Sequence, residues 1–285
     1  MARRQDAHPD NAPGPFFVDR SCIDCGTCYQ FAPATFGEGG DHARVHTQPG
    51  PAQRLRASMA LVACPVGSIG TADKADLPAA TRAFPHPLTD TVSFCGYTSE
   101  HSFGAWNYLI RRPEGNVLVD SPRAAEPLLK NLEALGGVAM LVLSHRDDVA
   151  DHAALHARYG CERVMHRTDG LAGLERLVEG EEPIPLAEDL LLIPTPGHTP
   201  GSICLLYGDC LFTGDHLWWN QEKQGLSASR AYCWHDWGQQ LRSLERLLAY
   251  DFRWVLPGHG SLHQAESPGA MRAELERALV RLRAS

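Results

Sequence analysis

Residues 195–201 read TPGHTPG, and this stretch decides the fold of the larger part of the chain. It follows Leu190–Ile193, an apolar run that predicts a β-strand. His198 lies between two Pro-Gly pairs, and such turns hold a side chain at the end of a strand, where functional loops collect. Because imidazole nitrogens bind zinc and iron, the stretch predicts a metal-ligating histidine beside a strand.

Three other stretches also place ligand-type residues at the ends of predicted strands. They read SHRDDVADH at residues 144–152, TGDH at residues 213–216 and PGHG at residues 257–260. Any one of them would be a weak signal, but their order and approximate spacing are informative together. On these stretches, residues 88–265 resemble the metallo-β-lactamase-fold superfamily. The resemblance implies an αββα four-layer sandwich, with two sheets flanked by helices.

The resemblance also implies a ligand set. Asp151, His152 and His259 would bind one metal ion, His198 would bind a second, and Asp215 would bridge them. Two ions about 3.5–4 Å apart hold a hydroxide at neutral pH and stabilise the developing oxyanion. Asp151 and Asp215 are accordingly the expected catalytic residues, with Asp151 also orienting the water or taking its proton.

The chain departs from the family pattern at the first metal position. The pattern His-x-His-x-Asp-His requires histidines four and two residues before the aspartate, where this chain has Asp147 and Val149. Valine cannot ligate a metal, whereas Asp147 could, and His145 could reach the site if the loop carries two extra residues. We expect one filled site on Asp151, His152, Asp215 and His259. The His198 site is expected to be weak, vacant or rebuilt by His145 or Asp147, and the charge of Arg146 disfavours a second cation.

A cysteine motif lies far upstream of these stretches. Residues 22–28 read CIDCGTC, and Cys64-Pro65 follows downstream. Three thiolates two residues apart can surround one face of an iron–sulfur cube, and a remote Cys-Pro can supply the fourth ligand. Residues 15–70 resemble a single-cluster ferredoxin on these features. One [4Fe–4S] cluster is therefore expected on Cys22, Cys25, Cys28 and Cys64.

The residue four positions after Cys28 argues for one cluster rather than two. Two-cluster bacterial ferredoxins have a further Cys-Pro at this offset, where this chain has Ala32-Pro33. A structural zinc site is the alternative, because four thiolates also suit zinc. Zinc sites usually combine two Cys-x-x-Cys pairs, so the cluster is favoured.

The predicted organisation has four parts: a flexible start at 1–14, the ferredoxin-like domain at 15–70, a linker at 71–87 and the metallo-β-lactamase-like domain at 88–285. Within the last, apolar periodicity predicts helices at 127–135, 150–158, 237–248 and 268–282. Predicted strands cover 92–97, 106–111, 117–120, 140–143, 190–193, 202–207, 210–213 and 253–256. Two strand-then-helix halves of this kind predict an α+β fold with the four-layer arrangement.

Bulk properties narrow the partners. The chain has 285 residues, 44% of them hydrophobic, and a net charge of −8 that argues against a nucleic-acid partner. No apolar run is long enough to span a bilayer, and the first residues lack a secretory signal. We expect a cytoplasmic protein, since a reducing compartment suits a thiolate-bound cluster. The expected partners are a small-molecule substrate and, if the cluster transfers electrons, a redox partner protein.

The leading functional hypothesis is a metal-dependent hydrolase. In it, metal-bound hydroxide attacks an ester, thioester, amide or phosphoester, and one or two zinc ions supply the site. The first alternative is an iron-dependent oxidoreductase that receives electrons from the [4Fe–4S] cluster. The second is a metal-binding protein without turnover, which the missing histidine favours. Substrate is not readable from the sequence.

For His216 and for four tryptophans near the motifs, the sequence allows either a role at the site or an ordinary structural role. His216 follows the expected bridging aspartate and could fix a carboxylate, or be an ordinary loop residue. Four tryptophans cluster near the same motifs, and they either border an aromatic-walled pocket or belong to the core: Trp218, Trp219, Trp234 and Trp237.

Overall fold

The computed structural model describes residues 2–284 and divides into two compact units. The first unit contains the chain up to Leu141 together with Ala150–Cys161. The second contains Val142–Val149 together with the chain from Glu162 onward. Within the described residues, no helix has both the length and the apolar character needed to cross a bilayer.

The first unit begins with small paired strands and two helices. Strand β1 pairs antiparallel with β4, and β2 pairs antiparallel with β3. Helix α2 ends directly before Cys64, because a residue that precedes a proline disfavours the helical conformation. The elements are β1 (Phe16–Val18), α1 (Thr27–Phe31), β2 (Phe36–Glu38), β3 (Ala43–Val45), α2 (Arg54–Ala63) and β4 (Ile69–Thr71).

The start of the chain is ordered, which differs from the flexible segment expected at 1–14. The side-chain amide of Asn11 donates to the carbonyls of His8 and Val18. Its Oδ1 atom accepts from the backbone N–H groups of Val18 and Val45. One asparagine thus attaches this segment to β1 and β3. Met1 lies outside the described residues.

The rest of the first unit is a sheet with helices. Its strands follow the order β5-β6-β7-β8-β9, with antiparallel pairs from β5 to β8. The elements are α3 (Leu77–Arg82), β5 (His86–Pro87), β6 (Val92–Phe94), β7 (Tyr108–Ile110), β8 (Val117–Val119), α4 (Glu126–Ala134), β9 (Met140–Val142) and α5 (His152–Tyr159). The predicted helices at 127–135 and 150–158 are confirmed as α4 and α5.

The predicted linker at 71–87 contains helix α3 and strand β5. Its Phe84 is 1% exposed and contacts the rings of Phe31, Phe94 and Tyr97 at centroid distances of 5.8–5.9 Å. Burial of a large aromatic side chain stabilises the ordered segment. This packing explains why the segment is ordered rather than a free connection.

The second unit is built on a six-stranded sheet in the order β12-β13-β14-β15-β18-β19, with a parallel pair β10–β11 and a hairpin β16–β17. Its elements are β10 (Glu162–His166), β11 (Arg176–Val178), β12 (Ile184–Ala187), β13 (Leu190–Pro194), β14 (Ile203–Tyr207), β15 (Cys210–Gly214), β16 (Trp218–Asn220), β17 (Gly225–Ser227), α6 (Trp237–Arg246), β18 (Trp254–Pro257), β19 (His263–Gln264) and α7 (Pro268–Arg283).

Both helices of the second unit begin at a side-chain cap. Asp236 accepts from the N–H of Gln239 at the start of α6, and Ser267 accepts from the N–H of Ala270 at the start of α7. Their apolar faces join one core with the sheet; its members include Leu211, Leu244, Val255, Met271 and Leu275. The helices predicted at 237–248 and 268–282 are confirmed. Ser285 lies outside the described residues.

Candidate metal centres

The second unit brings four chain segments together around Asp215. His145 lies in the segment after β9, His198 in the turn between β13 and β14, Asp215 directly after β15, and His259 shortly after β18. Every one of these residues follows the end of a strand, as the sequence predicts for all four.

One group of donor atoms surrounds Asp215 Oδ2. The Nε2 atoms of His145 and His198 lie 3.7 and 3.8 Å from it. Asp147 Oδ2 lies 3.9 Å from His145 Nε2 and 3.8 Å from His198 Nε2. Ligands of one zinc ion at bond lengths near 2.0–2.1 Å are about 3.4 Å apart. The donor atoms of His145, His198 and Asp215 therefore need only a small contraction to hold an ion, and Asp147 lies beside the two imidazoles.

The two imidazoles of this group carry the clearest sign of a metal site. His145 and His198 are 1% and 3% exposed. Within residues 2–284, the Nε2 atom of each is buried without a hydrogen-bond partner. Buried polar atoms without a partner cost free energy. A metal ion would remove this cost, so the residues present fit such an ion.

A second group shares Asp215. It contains Asp148, Asp215 and His259, whose ligand atoms lie within 4.8 Å of one another. His259 Nδ1 lies 2.8 and 2.9 Å from the two carboxylate oxygens of Asp215. A Cβ atom on Gly258 would come within 2.6 Å of Asp148 Oδ2 and 2.9 Å of Asp215 Oδ1. Only glycine leaves this group its space.

The electrostatics favour the metal-binding forms of these side chains. Burial lowers the pKa of His145 to about 4, although the Asp215 charge opposes this effect. Burial alone would raise the pKa of Asp215, but His259, His145 and His198 outweigh it and hold that pKa well below its usual range. Neutral imidazoles and an ionised carboxylate are the forms that bind metal ions.

Two residues that the sequence reasoning missed hold these loops in place. Asp169 is 6% exposed and accepts from the N–H of Arg146, the N–H of Gly201 and the hydroxyl of Thr199. It thereby joins the His145 segment to the His198 turn. Ser144 Oγ lies 2.9 Å from His145 Nδ1. This contact leaves the other ring nitrogen to face Asp215.

The structure groups some predicted ligands and not others. Five of the predicted ligands lie in the second unit and contact one another as described above: His145, Asp147, His198, Asp215 and His259. Asp151 and His152 lie in the first unit, and neither is in a metal-type donor group of the described chain. The carboxylate of Asp151 accepts from the N–H of Ala124 instead.

The path of the chain gives a physical reason for this difference. Ala150 has a positive φ of 28°, and the chain there turns into α5, whose first residue is His152. Asp148, three residues after His145, lies with Asp215 and His259, the residues that the family pattern groups with Asp151. The adjacent pair Asp147-Asp148 was the available sequence signal.

The residues near the motifs divide between core and surface. His216 is buried, and burial with nearby His198 and His145 lowers its pKa to about 3. Neither of its ring nitrogens has a hydrogen-bond partner in the described chain, so it does not fix a carboxylate as proposed from sequence. Trp219 stacks on His263 at 3.8 Å and, like Trp237, packs against the core. Trp234 is 58% exposed and lies beside His198.

The four predicted cluster ligands line one pocket of the first unit: Cys22, Cys25, Cys28 and Cys64. Sulfurs on one zinc ion are about 3.8 Å apart at a bond length of 2.3 Å. No three donor atoms that include these sulfurs lie within 4.8 Å of one another in residues 2–284. The four cysteines thus share one pocket, and among the described residues their sulfurs form no three-atom group with the spacing that one zinc ion requires.

Polar groups surround the sulfurs. The N–H groups of Asp24 and Ala43 donate to Cys22 Sγ at 3.5 and 3.4 Å. Ser68 Oγ lies 3.4 Å from Cys64 Sγ. Such contacts stabilise negative charge on thiolate ligands and tune the reduction potential of a cluster.

The segment between β6 and β7 also touches the cysteine segments. Thr27 donates its hydroxyl to the carbonyl of Gly104 at 2.8 Å, and Thr98 donates to the carbonyl of Ala63 at 2.7 Å. A Cβ atom on Gly104 would lie 2.7 Å from Cys25 Sγ. The cysteine pocket is therefore packed directly against this segment.

Comparison with known families finds a match for each of the two regions that carry these residues. Residues 18–71 match the family described as the 4Fe-4S single cluster domain of Ferredoxin I, and residues 137–259 match the metallo-beta-lactamase superfamily. Residues 137–259 belong to the metallo-β-lactamase superfamily. The predicted family and the predicted α+β fold class are confirmed by these matches. The two domains imply an iron–sulfur cluster in the first and metal ions in the second.

The chain is similar to one curated protein and to several solved structures. A hydroxyacylglutathione hydrolase of Rhizobium etli is 31% identical over 119 residues, which are 38% of this chain and 46% of that protein. The chain thus spans about half the length of this curated relative. The structure of ETHE1 from Myxococcus xanthus is 23% identical, with a TM-score of 0.46, over 66% of this chain and 90% of that one. A metallo-beta-lactamase from Pontibacter korlensis is 18% identical, with a TM-score of 0.48, over 67% and 97%.

Proposed function

We propose that the chain is a metal-dependent hydrolase that acts on an ester or thioester carbonyl. The observation that carries the proposal is the convergence of two buried, unpartnered imidazole nitrogens, of His145 and His198, on the carboxylate of Asp215. The similarity to a protein named hydroxyacylglutathione hydrolase supports a hydrolase and favours a thioester among the candidate substrates.

The residues divide the work as follows. His145, His198 and Asp215 would hold one ion, and Asp148, Asp215 and His259 would hold a second. Bound ions of this kind supply a Lewis acid and lower the pKa of a water towards about 7. Asp147 has a 46% exposed side chain beside both imidazoles, so its carboxylate is placed to take a proton from the solvent side.

The same donor set keeps a second candidate function in view. His145, His198 and Asp215 form a group of two histidines and one carboxylate. This combination is typical of non-haem iron(II) centres. With a [4Fe–4S] domain on the same chain, it favours an iron-dependent oxidoreductase as the alternative.

Metal analysis of anaerobically purified protein separates the two functions. A hydrolase should contain about four irons with one or two zincs and cleave members of an ester and thioester panel. Five or six irons, with reoxidation of the reduced cluster when substrate is added, would favour the oxidoreductase.

The substitution Asp215→Ala tests the site itself. Because Asp215 lies in both donor groups, its loss should lower turnover by more than about a hundredfold, in line with the sensitivity of metal sites to their ligands. Metal bound without any turnover by the unsubstituted protein would instead support a non-catalytic metal-binding protein.

A further inference from the structure

We propose that Tyr232 and Trp234, here called the aromatic pair, form a wall of the substrate site and bind a flat aromatic group next to the cleaved bond. This inference rests on the proposed hydrolase function and adds the substrate class. Three observations carry it: the hydrogen bonds that attach the pair to the His198 turn, the exposure of both side chains, and the closeness of the Trp234 ring to the His198 ring.

The segment that carries the aromatic pair is fixed to the metal-binding turn. The N–H of Trp234 donates to the carbonyl of His198 at 2.9 Å. The N–H of Asp236 and the thiol of Cys233 donate to the carbonyl of Gly197 at 3.0 and 3.1 Å. Three hydrogen bonds over four residues define the position of the pair relative to the imidazole of His198.

The aromatic pair is unusually exposed. Tyr232 and Trp234 are 65% and 58% exposed, whereas Trp106 is buried and the remaining tryptophans near the site are only partly exposed. Their rings meet nearly edge to face, at a centroid distance of 6.1 Å and an angle of 71°. Exposed neighbouring aromatic side chains on a soluble surface mark a place where apolar surface is covered on binding.

The position of the pair indicates a ligand of small size. The ring of Trp234 lies 6.4 Å from the ring of His198, whose Nε2 atom is one of the converging donors. A group stacked on the indole would therefore lie next to the His198 imidazole. Aromatic rings favour offset or edge-to-face contact with other aromatic rings. An aromatic acyl ester or thioester meets both conditions.

A matched pair of substrates tests the inference. The probes are the benzoyl and acetyl thioesters of 2-mercaptoethanesulfonate, assayed with the metal-loaded full chain. Trp234→Ala should lower kcat/KM for the benzoyl thioester about tenfold, mainly through KM, and change the acetyl thioester less than about twofold. Tyr232→Ala should act in the same direction, and Tyr232→Phe should keep the preference, because the ring and not the hydroxyl makes the contact.

The control is Val280→Ala on α7, which removes an apolar side chain that is 69% exposed in the same unit. It should change neither substrate. An equal loss for both thioesters in Trp234→Ala would assign the indole a structural role and overturn the inference. A change of oligomeric state with unchanged substrate preference would overturn it as well, since a second copy of the chain would then cover the pair.

A binding measurement separates this inference from the hydrolase proposal. Cys233 lies between the two aromatic residues and is half-buried. Benzoate should slow alkylation of Cys233 by N-ethylmaleimide, read by peptide mass, while acetate should not, and Trp234→Ala should abolish the protection. If the unsubstituted protein hydrolyses nothing, the hydrolase proposal fails, and this measurement still decides the aromatic pair. Equal effects of benzoate and acetate would overturn the inference.

Discussion

The cysteine pocket and the Asp215 site prepare for metal in opposite ways. Burial raises the pKa of Cys25 to about 11 and that of Cys28 well above its usual range, so these thiols keep their protons at neutral pH. Burial lowers the pKa of His145 to about 4, so its imidazole is already neutral. Burial disfavours charge in both cases, but only the cysteines need charge to bind. Iron must therefore displace protons from these thiols, whereas the His145 imidazole has no proton to lose at neutral pH.

The largest expected effect comes from removing one ligand at each site in turn and measuring the metal content of both sites. Cys64→Ser should abolish the visible absorbance of the cluster while the metal content of the Asp215 site stays within about twofold. Asp215→Ala should do the reverse, because each change removes a ligand from one site alone. Iron and zinc analysis with visible absorbance on both variants makes the measurement. Loss of both metals in either variant would mean that the sites do not bind independently.

The second expected effect distinguishes the grouped aspartate from the one that the family pattern names. Asp148→Asn should weaken metal binding about tenfold to a hundredfold, because Asp148 lies with Asp215 and His259. Asp151→Asn should change it little, since that carboxylate accepts from the N–H of Ala124. Zinc competition with a chromophoric chelator measures both. A larger effect of Asp151→Asn would restore the family ligand set.

The third expected effect is the pH dependence of the two sites. Cluster assembly should become more favourable from pH 6 to pH 8.5, because raised thiol pKa values mean that iron must displace protons. Metal binding at the Asp215 site should change less steeply over the same range, because the His145 imidazole holds no proton there and takes one up only as the pH drops through about 4. Parallel titrations of absorbance and zinc affinity check this. Equal slopes for the two sites would contradict the comparison.

The smallest expected effect comes from one glycine at each site. Gly258→Ala would place a methyl group within 2.6 Å of Asp148 Oδ2, and Gly104→Ala would place one within 2.7 Å of Cys25 Sγ at a φ of +82°. Overpacking of this kind costs about 1–3 kcal/mol. Each substitution should lower the metal content of its own site and the thermal midpoint of unfolding. Gly160→Ala is the control, because nothing lies within 4 Å of its Cβ position although its φ is +66°.

The features that could be predicted best are those whose residues lie close together in the sequence. Three of the four cysteines lie within residues 22–28, and the helices α4 to α7 follow apolar periodicity that is visible locally. Asp169 could not be predicted, because its three partners meet only after two separate loops have folded. The same holds for the start of the chain, which is fixed by contacts with distant residues, such as those of Asn11 with Val18 and Val45.

The candidate ligands at the Asp215 site could be predicted only in part. The motif stretches predicted His198, Asp215 and His259 as neighbours, since each follows a strand. They did not place Asp148 beside Asp215 and His259, because the path of the loop between β9 and α5 decides which nearby aspartate joins these residues. Family pattern alone assigned that position to Asp151.

The hydrogen bonds from Thr27 to Gly104 and from Thr98 to Ala63 have a consequence for protein engineering. Both hydroxyls belong to residues that are at most 1% exposed, so cutting the chain within 71–87 would leave buried donors without their acceptors. The cut would also separate Phe31 from Phe84 and Phe94. The ferredoxin-like domain therefore cannot be exchanged for another one without loss of these contacts. Replacement by another single-cluster ferredoxin would require new residues at both partners of these hydrogen bonds.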